Sequence, residues 1–579
     1  MPLQTEPSNY GTISPQNEGG SGGLHLRPHD KRPTTASSNI VPAKNILLFS
    51  FLGGLLFILV WHAYSEDHHR HEVRMGTKND TPTITLAAYA TTNKKINFDT
   101  ERFYPHQKVD HFGSSDNYKY ANETYSQRFF EDASFFQGPG HPIFVVMGGE
   151  DPVEKIKYPW VSRSLARSLG GITVCIEHRF YGKSQPIAKN KVTNTDLRNL
   201  LHPRQALADA TQFIQYLQND LGCGPRGSVD YCPVVTVGGS YSGFLSVLMR
   251  TVYPNVVDMA WGSSAPLLLY SHTVVETAYF DKITNVVEVY SPGCTEAVRK
   301  TLTEFQMDLS ALNNQNDKSI AQVASNIGIC TDTIPDYIDN LGILQQEVIM
   351  IIAAHFAENN MGFYPPGPER ELVQGCRVFQ RKDWSTYEKI RAFLKMSTPF
   401  TPSSSSCFDL RTELPPGPNG TITGADWSGT GGGHSGYMWD YQSCTLIPQC
   451  SLSPESMFPP RNWTLAWLTQ HCQQRFGMTP HLAALVEEFG FDDLSNDSHI
   501  LFTNGYNDGW YALSITENVS DTIRTFNFPN GAHHSDLTEL GATDQDTPDI
   551  VEGHKQVTAL LGSWMDEVMM SPNRRLTIH

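Results

Sequence analysis

Residues 233–253 constrain the fold of this 579-residue chain more than any other segment. They read PVVTVGGSYSGFLSVLMRTVY, so a short β-branched run reaches Gly238, Gly239 and Ser240 and passes at once into a run with helical apolar spacing. A serine at such a strand-to-helix turn has a strained backbone and needs small neighbours. The pattern predicts a nucleophile elbow with Ser240 as the nucleophile. Ser242 stands where a second glycine is usual, and we expect its small side chain to preserve the close packing.

Apolar strands and helices alternate on both sides of the elbow, which predicts a parallel sheet with helices on both faces. The main domain is expected at 96–275 and 481–579. Between these parts, 276–480 combines helix-like stretches with Pro-, Gly- and Ser-rich loops, a pattern typical of an inserted helical cap. The predicted strands are 142–147, 171–180, 233–239, 256–266, 499–510 and 522–537, and the predicted helices are 158–169, 202–221, 241–253 and 548–569.

A serine hydroxyl needs a base to become a nucleophile, and the base needs an acid to orient it. At an elbow of this kind the three residues occur in the order Ser, Asp, His. Asp508 follows one late predicted strand and His533 follows the next. We therefore predict that His533 acts as general base and then general acid, and that Asp508 fixes its tautomer.

Other residues offer the same chemistry but are less favoured by their positions. Only one of two adjacent histidines can face Ser240, and we favour His533 over its neighbour. Asp492 and Asp493, in the segment FDDL, resemble a solvated turn. His178, beside Arg179, resembles a structural contact. His434, in GTGGGHSG, is expected on a flexible surface loop. These alternatives are His534, Asp492, Asp493, His178 and His434.

Acyl transfer also needs N–H donors for the developing oxyanion. The residue after the nucleophile supplies one, which is Tyr241. The second comes from a loop after an earlier strand, where Gly149 or Gly148 permits close backbone approach. Glu150 follows them, and it either binds a substrate amine or accepts a structural hydrogen bond.

An apolar segment at 46–64 is long enough to cross a bilayer. Lys31, Arg32 and Lys44 precede it, and Glu66 and Asp67 follow it, so the positive-inside rule places the N-terminus in the cytosol. We expect a disordered cytosolic tail at 1–45, a signal anchor at 46–64 and a lumenal stalk at 65–95. The chain would then be a single-pass type II membrane protein.

Glycosylation sequons and cysteines support this topology, because all of them follow the apolar segment. In an oxidising compartment several of the ten cysteines should pair. Cys223 and Cys232, separated by a Gly-Pro-rich loop, are the preferred local pair. The sequons lie at Asn79, Asn122, Asn419, Asn462, Asn496 and Asn518.

Composition excludes several function classes. Sixty acidic residues against 43 basic ones give a formal charge of −17, which opposes binding to nucleic acid. Cysteine and histidine spacing does not match a zinc site, so we expect no metal, and the proposed chemistry requires no cofactor.

Ten segments together resemble the serine peptidase family that contains lysosomal prolyl carboxypeptidase, dipeptidyl-peptidase II, thymus-specific serine protease and fungal acid prolyl endopeptidases, with the fungal-type members most similar at the elbow. The segments EHRFYGKS and GAHHSDL in register with GGSYSG are highly specific as a set. The remaining ones are KVDHF, YSQRFF, MGGE, QALAD, SSAP, WDYQSCT and NGYNDGW.

The resemblance implies an α/β-hydrolase domain interrupted by a helical cap, and hydrolysis on the carboxyl side of proline. The family triad falls on Ser240, Asp508 and His533. Two departures, at Gly509 and Leu446, leave the P1 preference and the choice between exopeptidase and endopeptidase open, and a third, at Thr538, argues against the prolyl carboxypeptidase subtype. Gly509 stands where the family often has proline, Leu446 where an acid is common, and Thr538 where prolyl carboxypeptidases tend to have arginine.

Aromatic residues are candidates for the wall of a proline pocket, namely Trp439, Tyr441 and Trp510. The leading hypothesis is a membrane-tethered serine peptidase that acts on proline-containing peptides in a vacuole or lysosome or at the cell surface. An esterase or lipase on the same scaffold and an inactive binding protein remain alternatives. The oligomeric state, including a homodimer, stays open.

Overall fold

The computed structural model describes residues 99–113, 119–312, 317–334, 338–396, 407–410, 433–445, 450–460, 465–538 and 545–570. The predicted tail, anchor and stalk lie outside these residues, as do Leu446 and the sequons at Asn79, Asn419 and Asn462.

An eight-stranded sheet with the order β1-β2-β4-β3-β5-β6-β7-β8 forms the centre of the described chain. β2 is antiparallel to both of its neighbours, and all other pairs are parallel. This is the strand order of an α/β-hydrolase sheet, as expected. The strands are β1 (Thr100–Lys108), β2 (Thr124–Asp132), β3 (Ile143–Val146), β4 (Ile172–Ile176), β5 (Val234–Gly239), β6 (Met259–Ser263), β7 (Ile500–Gly505) and β8 (Ile523–Phe528).

The antiparallel β1–β2 pair was not predicted from the sequence. β1 lies at the sheet edge and exposes much of its length, so it lacks a continuous apolar pattern. β2 is largely buried but carries charged residues inward, among them Arg128, Glu131 and Asp132. Buried charges disrupt the period-two hydrophobic pattern by which a strand is recognised.

The central strands are apolar on both faces because helices cover both sides of the sheet. Along β3, Ile143 and Val145 contact one apolar cluster, while Phe144 and Val146 contact another on the opposite face. The predicted two-sided packing is therefore confirmed. A 3₁₀ helix at Gly509–Leu513 follows β7 and another at Ser535–Leu537 follows β8.

The predicted helices of the main domain are all present. A six-residue π-helical segment, Trp160–Leu165, precedes the first of them. The main-domain helices are α1 (Ala166–Leu169), α2 (Asn194–Leu200), α3 (Pro203–Asp220), α4 (Tyr241–Val252) and, at the end of the described chain, α15 (Pro548–Met570).

Residues between β6 and β7 form a helical insertion, and the same compact unit, Ile84–His579, contains both the insertion and the sheet. One of its helices, Leu341–Met361, is long and apolar enough to span a membrane by length and composition, but most of its residues are buried inside the protein. The insertion helices are α5 (Leu267–Tyr270), α6 (Ala278–Tyr290), α7 (Cys294–Ala311), α8 (Asp317–Asn326), α9 (Leu341–Met361), α10 (Glu371–Phe379), α11 (Thr386–Met396), α12 (Gly433–Thr445), α13 (Leu465–Phe476) and α14 (Ala484–Phe489).

Disulfides occur mainly in the insertion. Cys223 and Cys232 are bonded in the loop before β5, which confirms the predicted local pair. The other described disulfides are Cys294–Cys376, Cys330–Cys407 and Cys444–Cys472.

A buried ion pair fixes the segment after β4, where the EHRFYG motif lies. The guanidinium of Arg179 donates from Nε and Nη2 to the two carboxylate oxygens of Asp209 in α3, at 2.7 and 2.6 Å. Arg179 Nη1 also donates to the backbone oxygens of Val109 and Leu200. Such a bidentate arrangement defines both distance and orientation, so this motif positions the loop beside the elbow.

Candidate active site

Ser240 lies between the end of β5 and the start of α4, with φ 59° and ψ −131°. Non-glycine residues rarely adopt this backbone conformation, and it persists only where surrounding contacts impose it. The Ser240 N–H donates to the oxygen of Ser263 in β6 at 2.9 Å, and the Ser240 oxygen accepts from Phe244 N at 3.0 Å. The predicted strand–serine–helix turn is therefore present, with its strain supported by backbone bonds on both sides.

The glycines before the serine are required by close contacts. A Cβ on Gly238 would lie 2.1 Å from the Ser242 backbone oxygen, and one on Gly239 would lie 2.7 Å from the His534 ring. Both distances are well inside van der Waals contact, so a larger residue at either position would displace the turn.

Ser242 does more than fill the place of a second glycine. Its hydroxyl donates to the Gly239 oxygen at 2.8 Å, and the Gly239 N–H donates to Ser242 Oγ at 3.2 Å and to the Tyr158 hydroxyl at 3.0 Å. Ser242 is buried. The Ser242 side chain therefore joins the start of α4 to the end of β5 through hydrogen bonds with the Gly239 backbone.

Asp508 and His533 form a hydrogen-bonded pair near the carboxyl ends of β7 and β8. His533 Nδ1 lies 2.8 Å from Asp508 Oδ2, and the Asp508 side chain is fully buried. Gly505 pairs with Phe528 in register at the ends of the two strands, which brings the following loops together. The bond to Nδ1 leaves the second ring nitrogen, Nε2, for another partner.

Asp508 is itself held by its backbone surroundings. Its Oδ1 accepts the Trp510 N–H at 3.0 Å, as the N-cap of the short helix Gly509–Leu513. Its own N–H donates to the Gly505 oxygen at 3.2 Å. One carboxylate oxygen is therefore used to set the loop and the other to orient His533.

His534 occupies a different environment from His533. The His534 ring lies against Gly239, 5.8 Å from the Tyr158 ring. The backbone N–H of His534 donates to Ser264 Oγ at 3.2 Å. Burial, followed by repulsion from His533 and Lys157, lowers the pKa of the His534 imidazole well below its usual value. The ring is thus a neutral packing element beneath the elbow, whereas the hydrogen bond to Asp508 comes from its neighbour.

The other alternative residues make different contacts from this pair. Asp492 and Asp493 are on an exposed turn. His178 Nδ1 lies 2.8 Å from the Arg179 oxygen, and burial lowers its pKa to about 4. His434 is not on a surface loop as expected. It lies at the start of α12, with Nε2 2.8 Å from the Phe180 oxygen.

The loop after β3 lies beside the elbow. An added Cβ on Gly149 would be 3.7 Å from Ser242 Cβ, whereas one on Gly148 would be 2.4 Å from the Ile176 oxygen. Gly148 is therefore packed against β4, and Gly149 faces the elbow. Tyr241, the other candidate donor, is the first residue of α4.

Glu150 continues this loop and is partly exposed. Burial raises the pKa of its carboxyl group, while the positive charges of Lys157 and His533 act in the opposite direction. In the sequence Glu150 directly follows Gly149, so it belongs to the loop that lies beside the elbow.

Of the three predicted pocket aromatics, the structure brings two to the site. The Trp439 ring lies 5.0 Å from the Tyr241 ring, and the Trp510 ring lies 6.0 Å from the His533 ring. Tyr441 instead packs against Phe476 in a buried cluster between α12 and α13. Residues two apart on a helix point to opposite sides, so Trp439 and Tyr441 cannot share one pocket wall.

Sequence analysis missed several residues that complete the site, because they come from distant segments. Tyr158 binds the elbow backbone. Gln442 Nε2 donates to the Tyr241 hydroxyl at 2.9 Å and its Oε1 accepts from Tyr181 at 2.6 Å. Asn360 and Met361, at the end of α9, contact the loops of Asp508 and His533. Of the missed residues, only Gln442 lies within a quoted segment, WDYQSCT, and that segment does not indicate its hydrogen-bond partners. The others lie outside every quoted segment.

A possible metal-binding group lies in the insertion, where ligand atoms of Asp440, Cys444 and His471 are within 4.8 Å of one another. Cys444 is bonded to Cys472, which removes its thiolate. Asp440 pairs instead with His471 at 2.9 Å and with Arg475 at 2.7 Å. The donor set therefore fits a structural ion pair better than a metal ion.

Known proteins resemble this chain over most of its length. The family model described as Serine carboxypeptidase S28 matches residues 107–557. Lysosomal Pro-X carboxypeptidase from Bos taurus is 26% identical over 450 residues, covering 76% of this chain and 83% of that protein. Thymus-specific serine protease from Mus musculus is 24% identical over 493 residues, covering 80% and 87%.

Two adjacent glycines allow a direct test of the loop beside the elbow. We expect Gly148→Ala to lower the free energy of unfolding by about 1–3 kcal/mol, because its Cβ overlaps backbone atoms of β4. Gly149→Ala is the matched control and should change it by less than about 0.5 kcal/mol, because its Cβ has room. Urea unfolding followed by tryptophan fluorescence measures both, and equal midpoints would contradict the described loop.

Proposed function

Since the chain belongs to the serine carboxypeptidase S28 family, we propose that it cleaves peptides on the carboxyl side of proline through a triad of Ser240, His533 and Asp508. The observation that carries the proposal is the 2.8 Å bond between His533 and the buried Asp508, on loops that follow the same end of the sheet as the elbow. A serine alone at a strained turn would leave the nucleophile without a base.

The roles follow from the hydrogen-bonding pattern. Asp508 accepts a hydrogen bond from the Nδ1–H group of His533, which keeps the proton on Nδ1 and leaves Nε2 free to accept the hydroxyl proton of Ser240. The serine oxygen then forms a bond to the scissile carbonyl carbon, and the C–N bond breaks as His533 returns the proton to the leaving amine. Water releases the acyl group in a second step of the same kind.

The oxyanion formed in each step needs donors that are already in place. Tyr241 N–H, at the start of α4, and Gly149 N–H, in the loop beside Ser242, are the proposed donors. Two donors can serve one oxyanion only if they lie close together, and the packing of Gly149 against Ser242 brings the β3 loop to the elbow.

A proline ring requires a small apolar and aromatic P1 pocket. Trp439 and Trp510 are the proposed wall residues, because they lie against Tyr241 and His533. Tyr441 is not retained in this role, because its ring packs against Phe476. The relatives named Pro-X carboxypeptidase support proline as the recognised residue.

The helical insertion is proposed to cap the site. α12 reaches the residue after the nucleophile through Trp439 and Gln442, and α9 reaches His533 through Met361. Contacts from two separate insertion helices restrict access to the triad, which favours peptides and unfolded chains as substrates over folded proteins.

The triad is tested with a mixed peptide library at pH 4–8 and mass-spectrometric identification of every cleaved bond. We expect cuts after proline, and a loss of kcat on the order of 10⁴–10⁶-fold in Ser240→Ala. The distance of the cuts from each terminus assigns carboxypeptidase, aminodipeptidase or endopeptidase action. Asp493→Asn, on the exposed turn, is the control and should retain activity.

Other outcomes would favour the alternatives. Turnover of p-nitrophenyl esters without any peptide cleavage would assign the site to esterase chemistry. Failure of a fluorophosphonate to label the folded protein would indicate an inactive binding protein. Full peptidase activity in Ser240→Ala would refute the triad.

Glu150 is proposed to bind the substrate amine, because it follows Gly149 in the loop beside the elbow and is partly exposed. A carboxylate attracts an ammonium group only when it is ionised. Since burial raises the pKa of Glu150, the carboxylate forms at higher pH than usual, and the preference for a free amine should increase as the pH rises.

We expect Glu150→Gln to raise the KM for peptides with a free N-terminal amine by about 5–10-fold, as expected for the loss of one charged contact of about 1–1.5 kcal/mol. The KM for N-acetylated versions should stay within about twofold of wild type. Steady-state kinetics at pH 5 and 7 measures both, with Asp151→Asn as the neighbouring control. Equal changes for the two peptides would assign Glu150 a structural role.

A membrane tether is also proposed, with residues 46–64 as the anchor and the peptidase domain in the lumen of the secretory pathway, a vacuole or a lysosome. The described sequon residues Asn122, Asn496 and Asn518 are all exposed, as glycosylation requires. The relatives named as lysosomal support such a compartment.

Protease treatment of intact microsomes tests this topology. We expect an N-terminal epitope to be digested and the peptidase domain to be protected, because only the tail faces the cytosol. N-glycosidase should reduce the apparent mass of the protected fragment. Digestion of the domain without detergent, or protection of the epitope, would overturn the type II arrangement.

A further inference from the structure

The last turn of α9 makes contacts that the proposed reaction does not yet use. α9 belongs to the helical insertion, more than 140 residues before Asp508 in the chain. Its penultimate residue, Asn360, is fully buried. A buried side-chain amide needs partners for both its donor and its acceptor, so its surroundings show what it holds.

Both partners of Asn360 are backbone groups that flank Asp508. Asn360 Nδ2 donates to the Asn507 oxygen at 2.7 Å, and Asn360 Oδ1 accepts the Gly509 N–H at 2.8 Å. One side chain therefore bridges the residue before the acid and the residue after it. This bridge restrains the backbone from which the Asp508 carboxylate projects.

Gly509 is part of the same arrangement. A proline at this position would have no N–H to donate, so it could not form the second bond to Asn360. A Cβ at Gly509 would also lie 2.6 Å from the Tyr279 ring and 2.9 Å from Ile283. Gly509, which stands where the family often has proline, therefore fits its contacts with Asn360 and Tyr279 in this chain.

The next residue on α9 contacts the base. The backbone oxygen of Met361 accepts a hydrogen bond from the backbone N–H of His533 at 3.3 Å. The Met361 sulfur lies 3.4 Å from Trp510 Nε1. A single helical turn thus binds the loops of both the acid and the base. Beyond it, the Tyr364 hydroxyl donates to Asp546 and accepts the Thr547 N–H, each at 3.0 Å, which anchors the turn near the start of α15.

We propose that Asn360 is a positioning residue for the acid–base pair, which keeps the Asp508 carboxylate directed at His533 Nδ1. This inference rests on the proposed function. The insertion then does more than cover the site, because its longest helix fixes the geometry on which proton transfer depends. Asn360 acts through Asp508 and touches no reacting atom.

The main test is Asn360→Ala, measured by hydrolysis of a proline-containing peptide with active sites titrated by a fluorophosphonate. We expect kcat to fall about 10–100-fold, because small displacements of a catalytic group are costly. KM should stay within about threefold, because the residue does not contact substrate. Asn360→Asp retains the acceptor for Gly509 N–H but loses the donor to Asn507, and it should also lower kcat.

A matched control exists on the same helix. Asn340 caps the N-terminus of α9, where its Oδ1 accepts the Ile343 N–H at 3.0 Å. Asn340→Ala should lower the thermal midpoint of the protein while leaving kcat per titrated site unchanged. This variant separates loss of helix stability from loss of acid–base geometry.

A double-mutant cycle identifies the route of the effect. In an Asp508→Ala background, Asn360→Ala should reduce the residual kcat by less than about twofold, because the group it positions is gone. An additional loss as large as in the wild-type background would show that Asn360 acts elsewhere and would overturn the inference. If Asn360→Ala does not fold, an unchanged kcat in Asn360→Asp has the same consequence.

Failure of this inference is distinct from failure of the proposed function. If Ser240→Ala is inactive but both Asn360 variants have normal kcat, the triad stands and the positioning role is wrong. If Ser240→Ala retains peptidase activity, the proposed function itself fails.

Discussion

The backbone conformation of Ser240 is the constraint on which the rest of the site depends. Its positive φ places the serine at a sharp turn between β5 and α4, and no single contact maintains that turn. Gly239 accommodates the His534 ring, Ser242 binds the backbone before the serine, and the Tyr158 hydroxyl completes the set. The strained turn is thus supported both by Tyr158, between β3 and β4, and by His534, in the loop after β8. The contact of His534 with Gly239 also brings the loop of His533 close to Ser240.

The insertion is integrated into this arrangement at two points. α12 meets the residue after the nucleophile through Gln442, whose amide links the hydroxyls of Tyr181 and Tyr241. α9 contacts the loop of Asp508 through Asn360, whose amide bonds the backbone of Asn507 and Gly509. The sheet and the insertion therefore both supply groups that hold the loops of the proposed triad.

Much of the site was predictable because its key residues lie at strand ends, where a local pattern marks them. The elbow at Ser240 and the loops of Asp508 and His533 follow buried apolar runs that are visible in the sequence. β2 was missed because Arg128 and its other inward charges disrupt the apolar pattern. Asn360 was missed because its partners are backbone groups far along the chain, and a side chain that binds backbone leaves no matching residue to recognise.

The described disulfides are concentrated in the insertion, so the insertion and the sheet are stabilised in different ways. Three described disulfides cross-link the insertion, the fourth closes the loop before β5, and no described disulfide joins two strands of the sheet. A cross-link stabilises chiefly by limiting the unfolded chain, so thiol oxidation matters most for the insertion. Reduction of these disulfides should therefore loosen the insertion more than the sheet, and the insertion includes α9, whose Asn360 holds the backbone on both sides of Asp508.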